Sequence, residues 1–146
     1  MPESVMPGRV PPMALWLGAA GALLFILLAL AVRFAPVPGN FVAETLLTGY
    51  GIAILSFMGG VHWGLAMREH RPRQYAASIL PALYAWPALW LSAEAGWLYL
   101  AGGFVLLLGF DFWAGLRGWT PFWYARLRPP LTLAAAGSLL FAALLA

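Results

Sequence analysis

From Ala14 to Val32 the chain runs without a charged side chain, and Arg33 closes the stretch. An α-helix rises 1.5 Å per residue, so about 20 apolar residues cross a hydrocarbon core roughly 30 Å thick. This run predicts a first transmembrane helix over residues 14–33. A secretory signal peptide competes with that reading, because Arg9, the apolar stretch and Ala29-Leu30-Ala31 form a passable cleavage pattern. The apolar run is longer than a typical signal core, which favours the helix.

Composition extends the argument to the whole chain. Hydrophobic residues make up 63% and charged residues only 9%, against roughly 25% charged in soluble domains. The 16 glycines and 12 prolines are more than soluble helices usually tolerate. The absence of cysteine excludes disulfides, thiolate metal sites and cysteine nucleophiles. A net charge of +3 raises nucleic acid as a partner. The arginines, however, are scattered in short loops between apolar runs, where they act as topology signals rather than as a nucleic-acid surface.

These runs predict an all-α integral membrane protein, a single bundle of five transmembrane helices over residues 14–146 behind a disordered tail, residues 1–13. The spans are expected at about 14–33, 45–67, 75–92, 97–116 and 130–146. Pro81 and Pro87 should kink the third, and Pro129-Pro130 suit the first turn of the fifth. Thr120-Pro121 opens a short aromatic segment, residues 120–128, expected to lie at the membrane interface. With five spans, Arg9, Arg68, Arg71, Arg73, Arg117, Arg126 and Arg128 fall on one side and Arg33 alone on the other. The positive-inside rule then places the N-terminus in the cytoplasm and the C-terminus outside.

Within the second span, Ser56-Phe57-Met58-Gly59-Gly60-Val61-His62-Trp63-Gly64 sets an ionisable side chain among glycines. Ser56, Gly60 and Gly64 recur at four-residue steps, a small-residue stripe suited to close helix packing, and His62 projects roughly opposite. Gly102 and Gly109 form a similar face on the fourth span, with Asp111 pointing away from it. His62 precedes Arg68 by six residues and Asp111 precedes Arg117 by six, so both sit about 9 Å inside their helix ends. A buried Asp costs ~3 kcal/mol at a helix centre, and a partner relieves that. Two readings follow: a His62–Asp111 pair in a polar pocket, able to bind a ligand or move a proton, or a structural bond between the two helices.

Trp16, Trp97, Trp119 and Trp123 lie near span ends, where an interfacial belt accounts for them. Trp63, Trp86, Trp90 and Trp113 lie deeper, and Trp86 and Trp90, one turn apart beside Pro87, could line a pocket for a flat molecule. Nothing else resembles a catalytic kit or a metal site, since no HExxH, GxSxG or phosphate loop occurs.

The block Ser56 to Gly64, together with Tyr50-Gly51, Asp111, Trp123-Tyr124-Ala125-Arg126-Leu127-Arg128 and Leu131-Thr132, resembles the transmembrane protein 69-like family from about residue 40 to 135. The resemblance implies a small multi-span protein of the bacterial inner membrane with relatives in mitochondria, and it supplies no activity. Relatives with Arg at the position of His62 would imply an Arg–Asp ion pair in the same place. In size, span number and tryptophan content the chain is also similar to the translocator protein family, which binds porphyrins and sterols. That second likeness is one of architecture and carries no function. The inward tryptophans, the kinked third helix and the intramembrane His62 and Asp111 are what point to the expected function. It is the binding or carriage of a small amphipathic ligand (porphyrin, quinone or lipid) near His62, Trp63, Trp86, Trp90, Asp111 and Trp113. The alternative is a structural or assembly partner of a larger membrane complex.

Overall fold

A computed structural model describes residues 9–145. Helix α1 spans Pro12–Phe34, α2 Gly39–Glu69, α3 Pro72–Ala85, α4 Ala93–Leu116 and α5 Phe122–Leu144, with a 3-10 turn, Trp86–Trp90, between α3 and α4. No strand occurs among the described residues. Of the expected N-terminal tail, residues 1–8 lie outside the described part, whereas Pro12 and Met13 already belong to α1.

Each boundary has a local cause. Proline occupies the first turn of α1 and of α3, where its missing N–H is not needed. Helix α2 stops because His70 takes a left-handed conformation (φ 50°) and Pro72 follows. Ser92 caps α4 by accepting the Ala95 N–H at 3.4 Å, and Glu94 sits favourably in the first turn. Gly118, at φ 73°, reverses the chain after α4, a conformation glycine adopts without steric penalty.

Four helices, α1, α2, α4 and α5, are long and apolar enough to cross a membrane. This corrects the expectation of five regular spans. Pro87 breaks the third segment, so α3 is only 14 residues long and the chain continues as a five-residue 3-10 turn. The broken segment nevertheless runs the length of the bundle. Trp97 at the start of α4 meets Thr48 near the start of α2, while Asp111 near the end of α4 meets His62 near the end of α2. Helices α2 and α4 are thus parallel, and α3 with its turn carries the chain back between them.

A second correction concerns α5. The segment 120–128 is not a separate interfacial helix: α5 starts at Phe122 and continues through Pro129 and Pro130. Tyr124, Arg128 and Thr132, four residues apart, consequently share one buried face of a single helix.

The core is aromatic and aliphatic. Phe25 of α1 packs against Tyr50 of α2 (ring centroids 4.6 Å) and edge-on against Phe104 of α4 (5.6 Å). Leu47, Leu55, Leu100 and Leu139 complete it. Trp97, expected in an interfacial belt, is 1% exposed and donates its indole N–H to Thr48 Oγ1 at 3.0 Å. A neighbour with a hydroxyl in reach is what lets a Trp lie fully buried.

Glycine packing follows a different stripe from the expected one. Gly60, Gly64 and Gly109 have open space where a Cβ would stand, and Ser56 bonds its own helix at the Ile52 carbonyl (2.8 Å). Gly102 has only an ordinary neighbour, the Tyr84 hydroxyl at 3.4 Å. The close approaches are at Gly59, where a Cβ would stand 2.5 Å from the Ser78 carbonyl oxygen, and at Gly103, where it would stand 2.5 Å from the Tyr84 ring. Gly59 and His62 lie three residues apart, on one buried face of α2 with Gly51, Leu55 and Ala66. The glycine contact and the histidine therefore point to the same side of the helix, not to opposite sides.

Candidate functional site

His62 is fully buried and Asp111 is 1% exposed. The histidine Nε2 lies 2.6 Å from Asp111 Oδ1, so the pair singled out in the sequence is in contact. The second carboxylate oxygen, Oδ2, accepts from Arg128 Nε at 2.7 Å. Arg128, counted above as a loop arginine, is 2% exposed and stands inside the bundle on α5. Both bonds have the short length of charge-assisted contacts. They cancel the carboxylate charge against the guanidinium, the condition under which buried ions are tolerated.

The other side of the imidazole is equally specified. Gln74 of α3, fully buried, places its amide nitrogen 3.2 Å from His62 Nδ1 and 3.3 Å from the Trp119 carbonyl. Its amide oxygen accepts from Arg71 Nη1 at 3.3 Å. An amide nitrogen only donates, so Nδ1 must accept, and the proton of a neutral imidazole sits on Nε2, facing Asp111. A doubly protonated ring would oppose two donors across the Gln74 contact. Turning the amide over would set its oxygen against the Trp119 carbonyl and its nitrogen against Arg71. The network thus holds His62 as a neutral donor to Asp111 and favours positioning over proton transfer through this ring.

Chain segments from α2, α3, α4 and α5 meet here, together with the α4–α5 turn. Phe110 packs edge-on against His62 at 4.8 Å and Tyr124 at 6.3 Å, closing the site from solvent. Three polar atoms in and beside it have no hydrogen-bond partner: Arg128 Nη2, Tyr124 Oη and Thr132 Oγ1, all on the inner face of α5. Among the described residues, no three His, Cys, Asp or Glu side chains gather as a metal ion would require.

The tryptophans expected around the pair are not brought to it. Trp86 and Trp90 pack against each other at 4.7 Å and are 56% and 67% exposed. Trp63 lies against Tyr75 (4.8 Å), and Trp113 between Phe110 and Trp119, with the Arg117 guanidinium 5.0 Å from its ring. A groove of about 290 Å³ does lie between α2, α3 and α4, but Leu55, Pro81, Tyr84 and Phe110 are among its walls and no tryptophan is. A larger one, about 380 Å³, opens between α1, α2 and α5. Gly18, Ala22, Phe57 and Leu131 line it, as do Tyr124 and Arg128 from the polar site.

The sequence matches, over residues 10–144, the family model described as "Protein of unknown function (DUF3429)". The chain belongs to this family. Transmembrane protein 69 of Xenopus tropicalis is 35% identical to it, over 88% of this chain and 53% of the frog protein. The chain thus spans about half the length of that relative. No solved structure matches. In this DUF3429 protein, Arg128, Gln74 and Arg71 are the members of the site that residue-by-residue reading missed. Tyr124, Arg128 and Thr132 at four-residue steps were the signal, hidden by treating Pro129-Pro130 as a helix start.

Gln74 offers a direct test of the network. Gln74→Leu keeps the volume but leaves His62 Nδ1 without its donor and the Trp119 carbonyl with only the longer Arg71 contact at 3.5 Å. Leaving a buried group unpaired costs about 1–3 kcal/mol, so the detergent-solubilised variant should melt several degrees below wild type by scanning fluorimetry. An unchanged melting temperature would remove Gln74 from the network.

Proposed function

We propose that the protein holds a small amphipathic molecule in the groove between α1, α2 and α5, with the ligand's polar group at Tyr124 and Arg128. The observation that carries this reading is the conjunction of an apolar groove with two wall residues whose buried donors, Arg128 Nη2 and Tyr124 Oη, have no partner. Ligand sites typically combine a mostly apolar cavity of about 300–1,000 Å³ with a few polar groups that fix orientation. Asp111 holds the Arg128 guanidinium by its Nε and leaves Nη2 without a partner, while His62 and Gln74 act one step further back by fixing Asp111. Trp86 and Trp90 do not line this pocket, and Trp123 is its tryptophan.

On the same footing we place the arginine-rich end in the cytoplasm of a bacterial cell, with the C-terminus across the inner membrane, as the positive-inside rule directs. The competing role, a structural partner of a larger membrane complex, draws support from the internal closure of the His62–Asp111–Arg128 bonds, which hold helices together with or without a ligand.

The test uses a neutral single-chain amphiphile with a brominated acyl tail, titrated into the purified protein in detergent. Saturable quenching of part of the tryptophan emission, lost in Trp123→Phe and in Ala22→Phe, is the expected result. Quenching of equal depth and midpoint in wild type and Ala22→Phe would mean that the groove does not hold the tail, and the structural role would then stand.

A further inference from the structure

The groove does not end at Tyr124. Leu65 and Pro121 line it and also line a second, polar cleft of about 240 Å³ at the arginine-rich end, walled by Arg68, Arg71, Trp119 and Thr120. The two spaces adjoin, one apolar and one polar, in the order that an amphiphile lying along a helix would need.

The charge of the cleft is specific. Arg71 bonds only neutral acceptors, Gln74 Oε1, the Trp119 carbonyl and the Gly118 carbonyl, at 3.3–3.5 Å. Among the described residues, neither Arg68 nor Arg71 has a carboxylate within 4.0 Å, although Glu69 lines the same cleft. Two guanidinium groups and one carboxylate leave one positive charge. Thr120 is 9% exposed, and its Oγ1 has no hydrogen-bond partner. A threonine hydroxyl and an Arg fork are a usual pair of donors for phosphate oxygens. Deeper in, Arg128 is already neutralised by Asp111, so that position suits a neutral acceptor such as an ester carbonyl and not a second anion.

We infer that the ligand is an anionic phospholipid, an inference that rests on the groove reading above. Its phosphodiester sits against Arg68, Arg71 and Thr120, an ester carbonyl faces Arg128 and Tyr124, and one acyl chain lies along Gly18, Ala22 and Phe57. The single negative charge of the phosphodiester matches the single positive charge of the cleft. A zwitterionic lipid brings its own cation to the same place and loses that match.

The experiment titrates the full-length protein in neutral detergent with phosphatidylglycerol and, separately, phosphatidylcholine of the same acyl chains, reading bound lipid by native mass spectrometry. One phosphatidylglycerol should bind, about tenfold tighter than phosphatidylcholine, the factor set by one charge-assisted hydrogen bond. Arg68→Gln, on an exposed side chain outside the buried network, should remove most of that preference without lowering the melting temperature. Ala22→Phe should weaken both lipids. Equal affinity for the two lipids, with both still weakened by Ala22→Phe, overturns the headgroup assignment and leaves the groove reading standing. Lipid binding indifferent to Ala22→Phe overturns both. Displacement of phosphatidylglycerol by millimolar inorganic phosphate would make the cleft a site for a free anion and overturn the lipid assignment.

Discussion

Asp111→Ala should destabilise the protein by about 3–5 kcal/mol, the penalty for stranding one member of a buried ion pair. The residue is 1% exposed and carries both the His62 and the Arg128 bonds. Its removal leaves a guanidinium 2% exposed with no counter-ion at Nε and none at Nη2. Arg128→Met should be nearly as harmful, because the carboxylate then keeps only a neutral imidazole. The double variant Asp111→Ala/Arg128→Met is the informative one. With both charges gone no ion is stranded, so it should be more stable than Asp111→Ala alone, a coupling of about 2 kcal/mol or more on a double-mutant cycle. The readout is thermal unfolding in one detergent at fixed pH. Additive losses in the cycle would show that the two side chains do not work as a pair.

Gly59→Ala is expected to cost about 3 kcal/mol, and Gly60→Ala next to it to gain up to ~1 kcal/mol. An added Cβ at Gly59 would stand 2.5 Å from the Ser78 carbonyl oxygen and 2.9 Å from Pro81 Cγ. The first obstacle is backbone, so α3 itself has to move, which puts the cost at the upper end of the ~1–3 kcal/mol for overpacking. At Gly60 no atom lies within 4 Å, and replacing glycine in a helix gains up to ~1 kcal/mol of propensity. The pair of variants differs by one position and is predicted to differ in sign. If Gly60→Ala proved the damaging one, the rotation of α2 described above would be wrong by about a quarter turn.

The contrast shows where the sequence was legible. The apolar runs located four long helices to within a few residues at most ends, because lipid demands length and leaves little choice. The depth argument, six residues from His62 to Arg68 and from Asp111 to Arg117, paired the two correctly, because α2 and α4 are parallel. Rotation about the helix axis was harder. Ser56, Gly60 and Gly64 form a cleaner small-residue stripe than the Gly51–Gly59 face, which Leu55 interrupts, yet it is Gly59 that the Ser78–Pro81 region of α3 approaches. Proline misled twice. Pro87 ended a regular helix where a kink was expected, and Pro129-Pro130 sat inside one where a start was expected. The second error moved Arg128 from the bundle to a loop and hid the counter-ion of Asp111.

The buried Asp111–Arg128 pair also bears on how the chain enters its membrane. Each side chain alone penalises insertion by ~2.5–3.5 kcal/mol at mid-depth. The turn between α4 and α5 is only residues 117–121, and the two helices pack along their length. Presented together as a hairpin, the opposite charges meet before either is committed to lipid. Presented one at a time, α4 carries a carboxylate with His62 but no counter-ion until synthesis reaches residue 128. The short turn sets Arg128 only 17 residues behind Asp111, close enough for the two charges to enter the membrane within one helical hairpin.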